Sequence, residues 1–409
     1  MTYLGSVAAR SGIPIRVVVV ATAVICSLPL LGAFTSTAWK DVPYAVGVLL
    51  AAGAIWSISG RVKPSKSDQL LALLSLVVVS GFRWNGFIAA LVIAGGFVAV
   101  VPQGWRARTA LAGIGAISVG VATLVLPTRL ELVSDESSLA YVGVVHDLAV
   151  VARRNPAAFS DAEWRVMQRV MVRDEWTATG ASCASIDLIV HPRSGESDPV
   201  RLVNLKVSIS RNHQAIARIW SHHLRADPVS LLRSRLCRMK SAVLPFPVDR
   251  TMPIALWQFG DPVTDGRVAP GMSHASTTPL LWPGARWLVE HSNTSFLLQW
   301  ALFRAPVWLV LSGVVLVAFR RRFTMGMRRS VLLAVPAVGV VAAAAAAMGA
   351  QDLRYTFPAA ILLQYWCLLV VGSLLVGVED CSPRVDEPGP ELTEATATAV
   401  AGLPADQGS

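Results

Sequence analysis

Long apolar stretches constrain this chain more than any other feature. Five of them precede residue 127 and three follow residue 294. A helix needs about 20 predominantly apolar residues to cross the hydrocarbon core of a bilayer. Charged residues make up only 15% of the sequence, against about a quarter in a soluble domain. The sequence therefore predicts an integral membrane protein.

The arrangement of charge between these stretches predicts their orientation. Basic loops at residues 60–66, 102–108 and 320–329 follow the second, fourth and sixth stretches. Cytoplasmic loops carry an excess of Lys and Arg, so both termini are predicted in the cytoplasm. If spans three and four were one interrupted helix, the basic loops would no longer all lie on the cytoplasmic side. The net charge of +10 lies largely in such loops, which argues against a nucleic-acid partner. The eight predicted spans are residues 17–34, 44–59, 69–82, 87–101, 109–126, 295–319, 331–348 and 358–378.

A hydrophilic block, residues 127–294, separates the two apolar regions. It holds all seven histidines, and its 19 basic residues nearly balance its 16 acidic ones. Ser160 and Glu163 have the spacing of a capping box, and apolar residues at three- and four-residue intervals indicate further helices. The predicted helices run from residue 134 to 154, 160 to 172, 211 to 224 and 227 to 239; residues 186–190 and 200–207 could be short strands.

The sequence thus predicts an all-α polytopic membrane protein with a mainly helical extracytoplasmic domain inserted between the fifth and sixth spans. Cys183 and Cys237 both fall in that domain and could form a disulfide if it faces an oxidising compartment. The histidines match no metal-site motif, and no metal ligand is assigned. The predicted regions are residues 1–126 (membrane), 127–294 (extracytoplasmic), 295–378 (membrane) and 379–409 (a disordered acidic cytoplasmic tail).

Several short polar groups are predicted to converge on the outer membrane face. An acidic residue beside helix ends can act as a general base or hold a divalent cation, and arginine binds phosphate through a bidentate fork. This combination suits a lipid-phosphate substrate. In the alternative interpretation, Asp352 pairs with Arg354 or Lys40 and only orders the loops. The groups are Lys40-Asp41, Arg83 with Asn85, Asp352 with Arg354 and Tyr355, and the hydrophilic block itself.

The order of these motifs resembles the GT-C class of polytopic membrane glycosyltransferases, including bacterial family-39-like proteins. The resemblance covers most of residues 17–378. It rests on the Lys40-Asp41 loop, the Arg-x-Asn-Gly pattern at residues 83–86, the His146-Asp147 pair in the first helix of the block, and the Asp-x-Arg-Tyr-x-x-Pro pattern at residues 352–358. Adjacent helical residues point to different faces, so His146 and Asp147 do not form a catalytic dyad by themselves.

The resemblance implies transfer of a sugar from a polyprenyl-phosphate carrier to an envelope glycan or protein acceptor on the outer face. It places Asp41 in the second acidic loop and Arg354 against the carrier phosphate. The cofactor that this acid could hold is a divalent cation. Family members usually carry a catalytic acid in a loop between their first two spans. Here the first span leads directly to the Lys40-Asp41 loop, so upstream spans would be missing through a shortened gene or true loss.

Two other functions fit a chain of this composition. A lipid or polysaccharide transporter is expected to bury ionisable residues at mid-membrane, and the predicted spans contain almost none. A non-catalytic membrane scaffold would use the hydrophilic block to bind a partner.

Overall fold

A computed structural model describes residues 1–28, 41–59, 61, 64–83, 85–129, 136–180, 199–244, 304–347 and 356–376. Within those ranges the protein is helical and has no strand, which confirms the all-α class. The predicted tail, residues 379–409, and the possible strand at residues 186–190 lie outside them.

The N-terminal region begins with a helix that the sequence did not predict. Helix α1 (Thr2–Arg10) packs against α2 (Ile15–Ser27) and α3 (Asp41–Ser59). Its buried residues Leu4, Val7 and Ala8 follow the spacing of one helical face. Gly12, with φ of 84°, turns the chain from α1 into α2, because glycine adopts this backbone conformation without steric cost.

Three further apolar helices follow: α4 (Lys66–Gly81), α5 (Gly86–Val100) and α6 (Arg106–Arg129). Helix α4 begins at an N-cap, where the Ser65 hydroxyl accepts a hydrogen bond from the backbone N–H of Asp68. Helices α4 and α5 pack against each other. They are therefore separate helices joined by a turn, and the single interrupted helix is excluded.

Gly86 marks the closest approach of α4 and α5. A Cβ atom at Gly86 would overlap the carbonyl oxygen of Val79, whereas one at Gly95 on the same helix would meet open space. We expect Gly86→Ala to destabilise the protein by about 1–3 kcal/mol, the usual cost of overpacking. Gly95→Ala should be neutral or slightly stabilising, because alanine favours helix. Thermal unfolding of both variants in detergent checks this, and equal midpoints would contradict the close packing.

The hydrophilic block contains five described helices around its own apolar core. They are α7 (Glu136–Arg154), α8 (Asp161–Met167), α9 (Arg173–Thr179), α10 (Pro199–Ala226) and α11 (Pro228–Val243). The Ser160–Glu163 capping box is present at the start of α8, as predicted. The helix predicted to continue to residue 172 ends at Met167 instead, and α9 begins after a turn.

The strand predicted at residues 200–207 is wrong, because these residues belong to α10. A strand over these residues would place Leu205 and Val207 on the same face. The structure buries Leu205 and Ile209 but leaves Val207 40% exposed. Leu205, Ile209, Ile216 and Ile219 all lie in the core of the block, at intervals of four, seven and three residues. Helical packing over the whole segment therefore prevails over local alternation.

The C-terminal helices are α12 (Ala305–Phe319), α13 (Met325–Ser330), α14 (Ala334–Ala347) and α15 (Phe357–Val376). Helix α15 is apolar all round and is buried along most of its length, as expected for a helix surrounded by others. Polar contacts join it to its neighbours. The Trp366 indole N–H donates to the Ser330 hydroxyl at 2.9 Å, and the Tyr365 and Thr22 hydroxyls lie 3.3 Å apart.

Three described segments are long and apolar enough to cross a membrane: Val42–Ser59, Met325–Ala346 and Phe357–Val376. Apolar side chains also cover outward-facing helix surfaces; Leu111, Val317 and Leu375 are each at least 70% exposed. Such surfaces are unfavourable in water and suit contact with lipid. These observations support a membrane protein, while the eight-span topology and the orientation stay predictions.

Candidate functional site

Two predicted site residues lie at the turn between α4 and α5. Arg83 is buried, and its guanidinium carbon lies 5.3 Å from the centroid of the Tyr44 ring. This distance is within the range of a cation–π contact. Tyr44 lies in the first turn of α3, whose first residue is Asp41. The structure thus brings the start of α3 next to Arg83.

Asn85 connects the same turn to the end of α14. Its side-chain amide N–H donates to the carbonyl oxygen of Ala343 at 3.3 Å. Its Oδ1 atom is buried and has no hydrogen-bond partner among the described residues. A buried acceptor of this kind costs about 1–3 kcal/mol when it is left unsatisfied. Asn85 therefore offers an unused acceptor beside Arg83.

The structure describes only part of the other residues in this predicted group. Lys40, Asp352, Arg354 and Tyr355 lie outside the described residues, as does the Asp41 side chain. Residues 348–355 connect the end of α14 to the start of α15 along the chain. The segment that carries Asp352, Arg354 and Tyr355 thus leaves α14 one turn after Ala343, the carbonyl partner of Asn85.

The hydrophilic block packs on this same end of the membrane helices. Helix α11 contacts α14 and α12, and Met239 packs against Ala344 and Ala345. These alanines directly follow Ala343, whose carbonyl accepts from Asn85. The block therefore lies beside the turn that carries Arg83 and Asn85.

His146 and Asp147 lie inside the block, and both are fully buried. The Asp147 carboxylate accepts from Arg235 Nε at 2.8 Å and from the Trp220 indole N–H at 3.1 Å. The Ser234 hydroxyl lies 3.4 Å from its other oxygen. These partners come from α10 and α11, so Asp147 joins three helices of the block. Its contacts account for its burial without any substrate.

Arg304, the residue that precedes α12, was not among the predicted site residues. It is buried at 3% exposure, although it was assigned to the interior of an apolar span. Ionisable residues within membrane segments usually mark functional positions. The signal in the sequence was a single arginine between Phe303 and Ala305, inside an otherwise apolar stretch.

Cys237 is disulfide-bonded, whereas Cys26 and Cys367 are free thiols. The bonding partner of Cys237 lies outside the described residues, and so does Cys183, the partner that was considered from the sequence. Structural disulfides persist in oxidising compartments.

Comparisons with known proteins found no relative of this chain. No protein-family model matches the chain, and neither the curated proteins nor the solved structures contain a match. Function is therefore inferred from the residues themselves.

Proposed function

We propose that this protein is a membrane glycosyltransferase that moves a sugar from a polyprenyl-phosphate donor to a cell-envelope acceptor at the outer membrane face. The observation that carries the proposal is the position of Arg83. This buried guanidinium lies against Tyr44, one helical turn from Asp41. An acid and a cation thus come from two helix ends that meet beneath the hydrophilic block.

The cationic residues of the site are suited to the donor phosphate. The guanidinium of arginine presents N–H donors in a fork that matches phosphate, which suits Arg83 to a phosphate oxygen. In the proposed site, Lys40 and Arg354 share this role, with Asp352 and Tyr355 on the same loop as Arg354. Several cations are needed because the leaving lipid phosphate carries negative charge in the transition state.

Asp41 is the proposed catalytic residue. As a general base, its carboxylate would take the proton from the acceptor hydroxyl while that oxygen attacks the anomeric carbon of the sugar. The bond from this carbon to the phosphate oxygen breaks, and polyprenyl phosphate leaves. In a second arrangement of the same site, Asp41 holds a divalent cation that neutralises the leaving phosphate. The unused Oδ1 acceptor of Asn85 suits a sugar hydroxyl.

The hydrophilic block would cover this site and select the acceptor. Its contact with α14, through Met239 and the two alanines that follow Ala343, lies next to the turn of Arg83 and Asn85. The alternative of a non-catalytic scaffold is favoured by the same apolar contact, because a block held firmly on the bundle is also a stable platform for a partner protein.

A cell-based assay distinguishes the enzyme from the scaffold. A strain that lacks the protein is complemented with the wild-type chain, with Asp41→Asn or with Arg354→Ala, and its cell-envelope glycans are compared. We expect the wild-type chain to restore a glycan that neither variant restores at equal protein level. Full restoration by both variants would refute the site assignment and favour the scaffold.

An extracytoplasmic position of the block, as proposed, gives a separate prediction. Alkylation of the denatured but unreduced protein should label Cys26 and Cys367 and leave Cys237 unlabelled, because only thiols react. Reduction before alkylation should make Cys237 reactive, and mass spectrometry of unreduced peptides would identify its partner. Labelling of Cys237 without reduction would contradict an oxidising location for the block.

A further inference from the structure

A group of three potential metal ligands lies on the block, apart from the proposed glycosyltransferase residues. Glu163 belongs to α8, and His222 and His223 lie near the end of α10. One ligand atom from each of the three residues lies within 4.8 Å of the other two. The Glu163 Oε1 atom lies 2.9 Å from His222 Nδ1 and 3.6 Å from His223 Nε2. A single carboxylate oxygen therefore faces both imidazoles.

The second oxygen of Glu163 is held in place by the helix cap. Oε2 accepts from the backbone N–H and from the hydroxyl of Ser160, both at 2.9 Å. The capping box thus fixes the carboxylate and directs Oε1 towards the histidines. Positioning of a ligand by a neighbouring hydrogen bond is typical of metal sites.

His223 supplies a second, independent observation. Its side chain is 6% exposed, and Nε2 is buried without a hydrogen-bond partner among the described residues. The imidazole is held by the Phe159 ring, with centroids 4.2 Å apart. A buried ring nitrogen that faces a carboxylate at 3.6 Å, beyond hydrogen-bond distance, is well placed to bind a cation between the two.

The surroundings shift the pKa values of two of these residues. Burial lowers the pKa of His223, and the charge of His222 lowers it further against the opposing effect of Glu163. Burial alone would raise the pKa of Glu163, but hydrogen bonds from Ser160 and His222 bring it below its ordinary value.

We propose that Glu163, His222 and His223 form a binding site for a divalent transition-metal ion, with Zn²⁺ as the best match. Two imidazole nitrogens and one carboxylate oxygen are a ligand set that Zn²⁺ favours, with bonds of about 2.0–2.2 Å. Two ligands of a tetrahedral ion with such bonds lie about 3.3–3.6 Å apart, near the 2.9 and 3.6 Å that separate Glu163 Oε1 from the two imidazole nitrogens. Small side-chain rotations would therefore complete the geometry.

The site has an entrance and an open coordination position. The His222 side chain is 65% exposed, so an ion can enter from solvent. His223 also lines a small cleft of about 90 Å³ together with Arg154 and Asp227. With three protein ligands, a tetrahedral ion keeps one position for water or another ligand. The bound ion would join α8 to the end of α10 and stiffen the face of the block that carries the cleft.

Metal titration of the full-length protein tests this inference. The protein is purified in detergent through a tag without histidine, treated with a chelator, and titrated with Zn²⁺ against a chromogenic chelator. The two test variants are His222→Ala, which removes an exposed ligand, and Glu163→Gln, which keeps a capping-box acceptor. The control is His213→Ala. His213 lies on the same helix, closer to its N-terminus and about 13 Å from His222 along the axis at a rise of 1.5 Å per residue.

We expect the wild-type protein and His213→Ala to bind one equivalent of Zn²⁺. His222→Ala and Glu163→Gln should bind it about tenfold more weakly or worse, since even the loss of a supporting residue costs that much. Co²⁺ in place of Zn²⁺ should give the visible absorption of a tetrahedral nitrogen and oxygen site. No saturable Zn²⁺ binding by the wild-type protein, or binding unchanged in both test variants, would overturn the proposal.

Discussion

Asp41→Asn is expected to lower the rate of sugar transfer by about 10²–10⁴-fold, the usual contribution of a general base. Asparagine keeps the size of the side chain but cannot accept the proton from the attacking hydroxyl. Donor affinity should change little, because the proposed contacts with the phosphate come from Lys40, Arg83 and Arg354. The measurement is the initial rate of donor consumption in membranes that contain equal amounts of each variant.

Two further variants separate catalysis from binding. Arg354→Ala should mainly raise the KM for the polyprenyl-phosphate donor, because it removes a proposed phosphate contact. Asp174→Asn, at an exposed position of α9, should behave as the wild-type protein does. A transfer rate of Asp41→Asn within a factor of a few of the wild-type rate, at the same expression level, would remove Asp41 from the catalytic site.

Arg235→Gln should give the largest loss of stability among the substitutions within the block. It removes the 2.8 Å ion pair between Arg235 Nε and the fully buried Asp147 carboxylate. Removing one partner of a buried ion pair costs about 3–5 kcal/mol. Arg235 is itself 39% exposed, and water already screens part of its charge. We therefore expect a smaller loss, about 2–3 kcal/mol, in the free energy of unfolding of the block.

Chemical unfolding followed by tryptophan fluorescence measures this loss, because Trp164 and Trp176 lie in the core of the block. The matched control is Arg233→Gln, an exposed arginine two residues earlier on α11, which should change stability little. The double variant Asp147→Asn with Arg235→Gln should lose less than the sum of the single variants, since neither charge is then left unpaired. Strict additivity would contradict the coupling of the two residues.

The apolar helices on either side of the hydrophilic block were largely predictable from the sequence. Apolar runs determine most of the length of these helices. Local signals, such as the Ser65 cap and the turn at Gly86, determine where the helices begin and end. Helix α1 was not predicted, because its nine residues are too few to cross a membrane and give no apolar run of that length. The error at residues 200–207 has a different origin. The apolar alternation there fits both helix and strand, and only the tertiary core selects the helical face.

The site was less predictable, because its contacts join residues that are far apart in the sequence. Asn85 meets Ala343 across 258 positions, and Glu163 meets His222 across 59. No spacing rule connects such pairs. The sequence did identify Arg83 and Asn85 as unusual polar residues between apolar runs, and the structure places them beside Tyr44 and α14. Glu163 was recognised only as part of a helix cap, which uses its Oε2 atom, while its Oε1 atom faces the histidines.

Sugar transfer by the purified protein tests the glycosyltransferase proposal most directly. The full-length chain is reconstituted in lipid vesicles with a panel of polyprenyl-phosphate sugars and an envelope extract as acceptor, and released polyprenyl phosphate is measured. We predict release with at least one donor by the wild-type protein and by Asp174→Asn, and a rate at least about 100-fold lower with Asp41→Asn. Release that is equal in the wild-type protein and Asp41→Asn, or absent from the folded wild-type protein with every donor, would contradict the proposed function.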